Sequence, residues 1–370
     1  MTPVERRYDI DWLRVISIGL LLIYHIGIVF QPWGVFLGFL QSDQPLSYLW
    51  PAMSNLNVWR IPLLFLVSGM GVCFAIRKRD WKQLILERSR RIFLPFLFGM
   101  LIIVPVHIFI WQRYYKQEVT YTPGPGHLWF LGNIFLYVIL LMPLFFYLKR
   151  NENGRLVNSI RHLFGHPLGL LVLPVAILIE TLLIRPEIYA LYAMTLHGFL
   201  LGLLVFLAGF LMVVSGNRFW NMVLKWRWSS LSVAVALYLI RLLLFHLEAP
   251  NWMLPFETCM WIYAVLGFGY RYLNHPGKTL SYLSQGAYPI YILHMIFLFL
   301  GASVILRLGI PTITQFLLLV VFTITGCFAT YELIIRRVRF LRPLFGLKPT
   351  GRVVKSGLRP TLGKHRVDPV

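Results

Sequence analysis

Apolar residues run in continuous blocks along this chain, and short polar segments rich in Lys and Arg separate them. Ten blocks stand out: Ile10–Phe30, Asn57–Ile76, Ile92–Trp111, Leu128–Leu148, Leu168–Ile184, Leu196–Val214, Ser229–Leu247, Trp252–Tyr272, Ser284–Leu306 and Thr312–Ile335. Each is near the ~20 residues that carry a helix across the hydrocarbon core of a bilayer. The blocks are continuous and do not alternate apolar with polar, which excludes a transmembrane barrel. The pattern predicts an all-α polytopic membrane bundle of about ten transmembrane helices. One membrane domain is expected over residues 1–335, followed by a basic tail over 336–370 that lies against anionic headgroups.

Charge orients the bundle. Of 370 residues, 58% are hydrophobic and 13% charged, against about 25% charged in soluble proteins. The formal charge of +21 invites a nucleic-acid partner, but the positions of the cations argue against one. With the N-terminus inside, 28 of the 35 Lys and Arg fall in the inside segments 1–9, 77–91, 149–167, 215–228, 271–283 and 336–370. That is the positive-inside pattern, and ten spans place both termini in the cytoplasm. The first block follows Arg6 and Arg7 without a small-residue cleavage site and reads as a retained span. Cys73, Cys259 and Cys327 each sit inside an apolar block, as small core residues with no disulfide implied.

The first block carries Arg14 and His25. Eleven steps of 100° bring these two to within about 20° of one another around the helix, roughly 16 Å apart along its axis. Ionisable groups at membrane depth are expensive and mark a cavity, a partner or a path. A cation near one surface and an imidazole near the middle predict a site reached from both sides.

Other polar residues admit two readings. Segment 77–91 holds seven cations; Arg88 and Arg91, one turn apart, suit a phosphate or pyrophosphate, or simply obey the positive-inside rule. Arg60 either snorkels to headgroups or faces a site. Ser68-Gly69-X-Gly71 is a close-packing element for neighbouring helices. His127 lies at an outer interface. Tyr288, Tyr291 and His294 share a helix face, and a lone buried His is ordinarily a hydrogen-bonded core residue. Among the acids in spans, Glu332 is placed to pair with Arg336, and Glu257 with Arg60 or Arg241. The aromatics of segment 31–56, including Trp33 and Trp50, form an interfacial belt or stack on a sugar. No metal-ligand set is expected, because Gly165 and Pro167 break the helix that would pair His162 with His166. Neither a phosphate loop nor a Gly-X-Ser-X-Gly elbow is present.

Five motifs occur in one order: Arg14-x10-His25, Arg60…Phe65-Leu-Val-Ser68-Gly69, Arg88-x2-Arg91-x3-Pro95, His127-Leu-Trp129-Phe-Leu and Tyr288-x2-Tyr291-x2-His294. In this the chain resembles the acyltransferase 3 family of membrane O-acyltransferases. The resemblance implies an enzyme of the bacterial inner membrane. It would move a succinyl or acetyl group from cytoplasmic acyl-CoA to a hydroxyl of a periplasmic or cell-surface carbohydrate, such as an osmoregulated periplasmic glucan. Acyl-CoA is then a co-substrate, and no cofactor is permanently bound; the expected partners are acyl-CoA, a carbohydrate acceptor and membrane lipid. His25 is expected as general base, with Arg14 as its catalytic companion and Asp11 orienting Arg14. Arg88 and Arg91 would hold the phosphates of the donor. Arg60, His127, Trp129, Glu257, Tyr291 and His294 would support the acceptor side, with the oxyanion donor among Arg60, His127 and His294. The alternative is a transporter or flippase of a glycan or lipid that uses the same polar path without acyl transfer. A non-catalytic scaffold leaves Arg14 and His25 unexplained.

Overall fold

The structure is a computed structural model that describes residues 6–348; residues 1–5 and most of the expected basic tail, 349–370, lie outside the described residues. The helices are α1 Tyr8–Val29, α2 Trp50–Ile76, α3 Trp81–Tyr114, α4 Gly126–Arg150, α5 Arg155–Phe164, α6 Pro167–Ile184, α7 Leu196–Val214, α8 Asn217–Leu243, α9 Leu254–Tyr272, α10 Lys278–Ile305 and α11 Thr312–Ile335. The described residues contain no strand. The expected all-α membrane bundle is what the chain forms.

Several helices extend beyond their apolar blocks, because backbone pairing continues where the side chains turn polar. Helix α3 starts well before its block. Asp80 accepts from Gln83 N at 2.8 Å and Gln83 accepts from Asp80 N at 3.2 Å, a capping box that satisfies two otherwise orphan donors. Wide turns at Ser89–Phe93 and Gly99–Ile103 interrupt it. Each precedes a proline, Pro95 or Pro105, and the extra residue in the turn relieves the clash of the ring with the preceding turn. Helix α5 is not a span: it buries Val157 and Phe164 and turns its polar residues outward.

Nine helices among the described residues have both the length and the apolarity to cross a bilayer. The remaining expected span is α9. It has 19 residues, but Glu257, Arg271 and its tyrosines lower its apolarity. It nevertheless accompanies α8 through the bundle, antiparallel. Gly267 rests against Val223 and Arg227 at one end. Toward the other, Arg241 donates to Glu257 at 2.8 and 2.7 Å, with side chains 3% and 0% exposed, and Ser54 of α2 also meets Arg241. Glu257 is thus turned into protein, away from lipid, while Arg271 is exposed at the end of α9.

Helix α1 sits centrally, against α2, α9, α10 and α11. Helices α2 and α7 approach backbone to backbone. A Cβ at Gly69 would fall 1.9 Å from the Phe206 carbonyl oxygen, and one at Gly209 would fall 2.0 Å from that of Leu66. Small residues at such contacts are how membrane helices gain packing energy. Near the two ends of the described chain, Arg6 and Gly346 line one cavity, so both lie at the same end of the bundle.

Candidate active site

The polar residues of the first block look onto two different places. Arg14 lines a cavity of about 950 Å³ that opens at the end of the bundle where the described chain begins and ends. Its wall carries ten cations, Arg6, Arg7, Arg14, Arg77, Lys78, Arg79, Arg88, Arg91, Lys149 and Arg161, and three acids, Asp11, Glu87 and Glu152. Asp11 accepts from Arg14 at 3.1 Å and from Arg6 at 3.2 Å, which is the expected orienting pair extended by a second guanidinium. Arg88 Nη2 points to the Gly71 carbonyl at 3.5 Å, and Arg14 lies against that same glycine. Arg88 and Arg91 both pair with Glu87, at 3.2 and 3.1 Å. Glu87 was not among the expected site residues; its position one turn before Arg91 was the available signal. The inner lining includes Ser68 and Tyr288. Ser68 returns its hydroxyl to the Leu64 carbonyl at 2.7 Å, as suits a packing serine.

His25 is absent from that lining. It belongs instead to a cluster of four imidazoles brought together by α1, α3, α4 and α10. His25 Nδ1 lies 2.8 Å from His294 Nε2, with the rings only 15° apart in tilt. His294 Nδ1 lies 2.6 Å from the Tyr291 carbonyl oxygen. A carbonyl only accepts, so His294 carries its proton on Nδ1. In the neutral pair, His294 Nε2 is then an acceptor, and His25 Nδ1 must donate to it. The lone pair of His25 is left on Nε2. His127 donates from Nε2 to the Ile292 carbonyl at 3.2 Å, and its ring meets His294 edge-on at 5.0 Å. Its Nδ1 is buried without a partner. Tyr291 donates its hydroxyl to the His127 carbonyl at 2.5 Å, so Tyr291, His127 and His294 hold one another.

The fourth imidazole, His107, was not singled out from sequence. It is buried on α3, donates from Nδ1 to the Ile103 carbonyl at 3.3 Å, and its ring lies 5.5 Å from that of His127. The rule that drew attention to His25, an ionisable residue inside an apolar block, applies equally to His107.

Arg60 is 2% exposed, and its guanidinium lies 3.9 Å over the ring of Tyr24, the neighbour of His25. Its Nε and Nη1 are buried and meet no acceptor. It does not snorkel. Glu257 pairs with Arg241, as one of its two expected partners, and leaves Arg60 without a carboxylate. Trp129 packs on Phe65 and Phe130 at 6.0 and 6.4 Å, as an aromatic wall behind the cluster. Above His25, segment 31–46 folds back: Ser42 N donates to Val29 O at 2.9 Å and Leu46 N to Phe30 O at 2.8 Å. This sets Phe39 5.6 Å from the His25 ring. Trp33 and Trp50 pack on each other at 5.2 Å.

Two further acids in spans are structural. Glu332 pairs with Arg336 at 2.8 Å, as expected. Glu180 meets His197 Nδ1 at 2.9 Å while His197 Nε2 donates to the Tyr189 carbonyl at 3.0 Å, anchoring segment 185–195. In that segment Tyr192 donates to the Val58 carbonyl at 2.9 Å. Burial pushes the Tyr189 and Tyr192 phenols well above their ordinary pKa, so both remain neutral donors. Among the described residues, no group of three or more His, Cys, Asp or Glu is placed to hold a metal ion.

A model of the acyltransferase domain family matches residues 7–332, from the start of α1 to Glu332, and so spans both the cationic cavity and the four imidazoles. The chain belongs to this family. It is a multi-pass membrane acyltransferase. It is 24% identical over 388 residues to glucans biosynthesis protein C of Escherichia coli O81 (strain ED1a), covering 94% of this chain and 96% of the relative. No solved structure matches the chain significantly.

Proposed function

We propose that this acyltransferase takes a succinyl or acetyl group from acyl-CoA in the cationic cavity and delivers it to a carbohydrate hydroxyl, such as that of a glucan, from the opposite side. The observation that carries the reading is the hydrogen-bonded His25–His294 pair, which leaves His25 Nε2 as a free base. The excess of cations over acids around Arg14 supports a polyanionic donor. The positive-inside distribution of Lys and Arg supports a cytoplasmic position for that cavity, and so for both termini, in a bacterial inner membrane. The name of the relative supports a glucan acceptor.

The donor's phosphates pair with Arg88, Arg91 and their neighbours, and Arg14, held by Asp11, receives the inner part of the thioester arm. A sugar hydroxyl is a weak nucleophile at neutral pH and requires a base near its own operating range. The hydroxyl oxygen attacks the thioester carbonyl carbon while His25 Nε2 takes its proton. The resulting imidazolium keeps its Nδ1–H on His294, which fixes the ring. The free donors of Arg60 are the candidates to receive the oxyanion. The C–S bond then breaks, the carbonyl re-forms, and His25 returns the proton to the thiolate. The products are an ester and free CoA.

The test is a reconstituted assay with labelled acyl-CoA and a glucan, read by thiol release and by mass spectrometry of the glycan, with His25→Ala as control. A new ester that vanishes in a folded His25→Ala protein is the expected result. Full activity of that variant overturns the base assignment. An unmodified glycan and unconsumed acyl-CoA would overturn the proposed donor and acceptor.

A further inference from the structure

A second cavity, of about 380 Å³, lies between α1, α2, α8 and α9 and shares no lining residue with the cationic cavity. Its walls include Leu13, Ser17, Leu63, Trp59, Trp261 and Phe268. Room exists because the positions that crowd it, Ser17, Ala264 and Gly269, are small. Ile16, on its rim, is 41% exposed on the surface that faces lipid. Along α9 the groove runs from Trp261 to Leu273, roughly 18 Å at helical rise and close to the depth of one leaflet's hydrocarbon.

The mouth of the groove has the chemistry of a headgroup level. Trp228 and Tyr272 are 59% and 58% exposed and flank Phe268, at 4.9 and 6.4 Å between ring centres. Exposed amphipathic aromatics mark the interface. Arg227 lies 6.0 Å from the Phe268 ring. Its Nη1 turns back to the Leu224 carbonyl, while its Nε is buried with no partner. Arg271, beside Tyr272, is exposed. Two cations, Arg227 and Arg271, thus stand next to the groove's end residues Phe268 and Tyr272, just outside its apolar lining.

We propose that this groove holds one acyl chain of an anionic phospholipid from the leaflet at the Arg14 end, with its phosphate at Arg227 and Arg271. Guanidinium groups suit a phosphodiester bidentately, and juxtamembrane cations attract anionic lipid. Leu13 and Ser17 flank Arg14 on α1, so the bound chain braces the helix that carries Arg14. The binding does not depend on the transfer reaction, and its test is separate from that of the reaction.

The experiment uses the full chain in nanodiscs and in detergent. Native mass spectrometry follows retention of dioleoyl phosphatidylglycerol against dioleoyl phosphatidylcholine. Tryptophan fluorescence is read with the same phosphatidylglycerol brominated along its chains. The expected result is one retained phosphatidylglycerol and quenching that falls when Val265→Phe fills the groove. Arg227→Gln and Arg271→Gln should each weaken the preference for phosphatidylglycerol about fivefold. Ile16→Phe plugs the groove from its exposed rim and serves if Val265→Phe fails to fold. Retention and preference unchanged in a folded plugging variant, or no preference in the wild type, overturns the proposal.

Discussion

His25 Nδ1 and His294 Nε2 lie 2.8 Å apart although 269 residues separate them in the chain. The contact joins the first span to the ninth and sets the tautomer of both rings through the Tyr291 carbonyl. A base is useful only when its lone pair is aimed, and here the aim of His25 is decided by a residue on another helix.

Replacing His25 with Ala should lower acyl transfer by about 10²- to 10⁴-fold, the usual contribution of a positioned general base. Membrane insertion and the helical circular dichroism spectrum should be unchanged. Initial-rate measurements on purified protein decide this.

His294 is a positioning residue, and its variants separate that role from a structural one. His294→Ala should lower kcat on the order of 100-fold while the KM for acyl-CoA stays near that of the wild type. His294→Gln, whose side-chain oxygen accepts from His25 Nδ1, should recover part of the loss. Equal loss in both variants, with KM rising in parallel, argues against positioning.

In the cationic cavity, Arg88→Gln and Arg91→Gln should raise the KM for acyl-CoA and leave the KM for the acceptor unchanged. The loss should be larger for Arg88, which is the more enclosed of the two. Inhibition by free CoA should weaken in step, measured as an inhibition constant at fixed ionic strength.

The Arg241–Glu257 pair offers a stability test. Removing one partner, as in Glu257→Leu, leaves a buried uncompensated charge and should cost about 3–5 kcal/mol. The double variant Arg241→Met with Glu257→Leu should regain much of that. Thermal unfolding in detergent reads the difference, and additive losses would refute the coupling.

Gly69→Val places a side chain where the Phe206 carbonyl oxygen already lies within 1.9 Å of a Cβ position. Helices α2 and α7 must then separate, and overpacking of this kind costs roughly 1–3 kcal/mol or more. A lower thermal midpoint is expected, with Ser68→Ala as a mild control because its hydroxyl only returns to its own helix.

The sequence alone determined the membrane bundle, the number of long apolar segments and the marked residues Arg14, His25, Arg60, His127 and His294. Burial in lipid is so costly for charge that a few ionisable residues in apolar blocks are visible without any contact map. The Asp11–Arg14 and Glu332–Arg336 pairs were legible because helical spacing is local. What only the tertiary structure decided is which of these meet. His107 joined the imidazoles, Glu257 chose Arg241 and left Arg60 without an acid, and Arg14 and His25, on one face of one helix, looked into different places. Helical periodicity specifies direction around an axis. The neighbour found in that direction depends on how distant helices pack, and here that packing turns on close contacts such as Gly69 on Phe206 and Gly209 on Leu66.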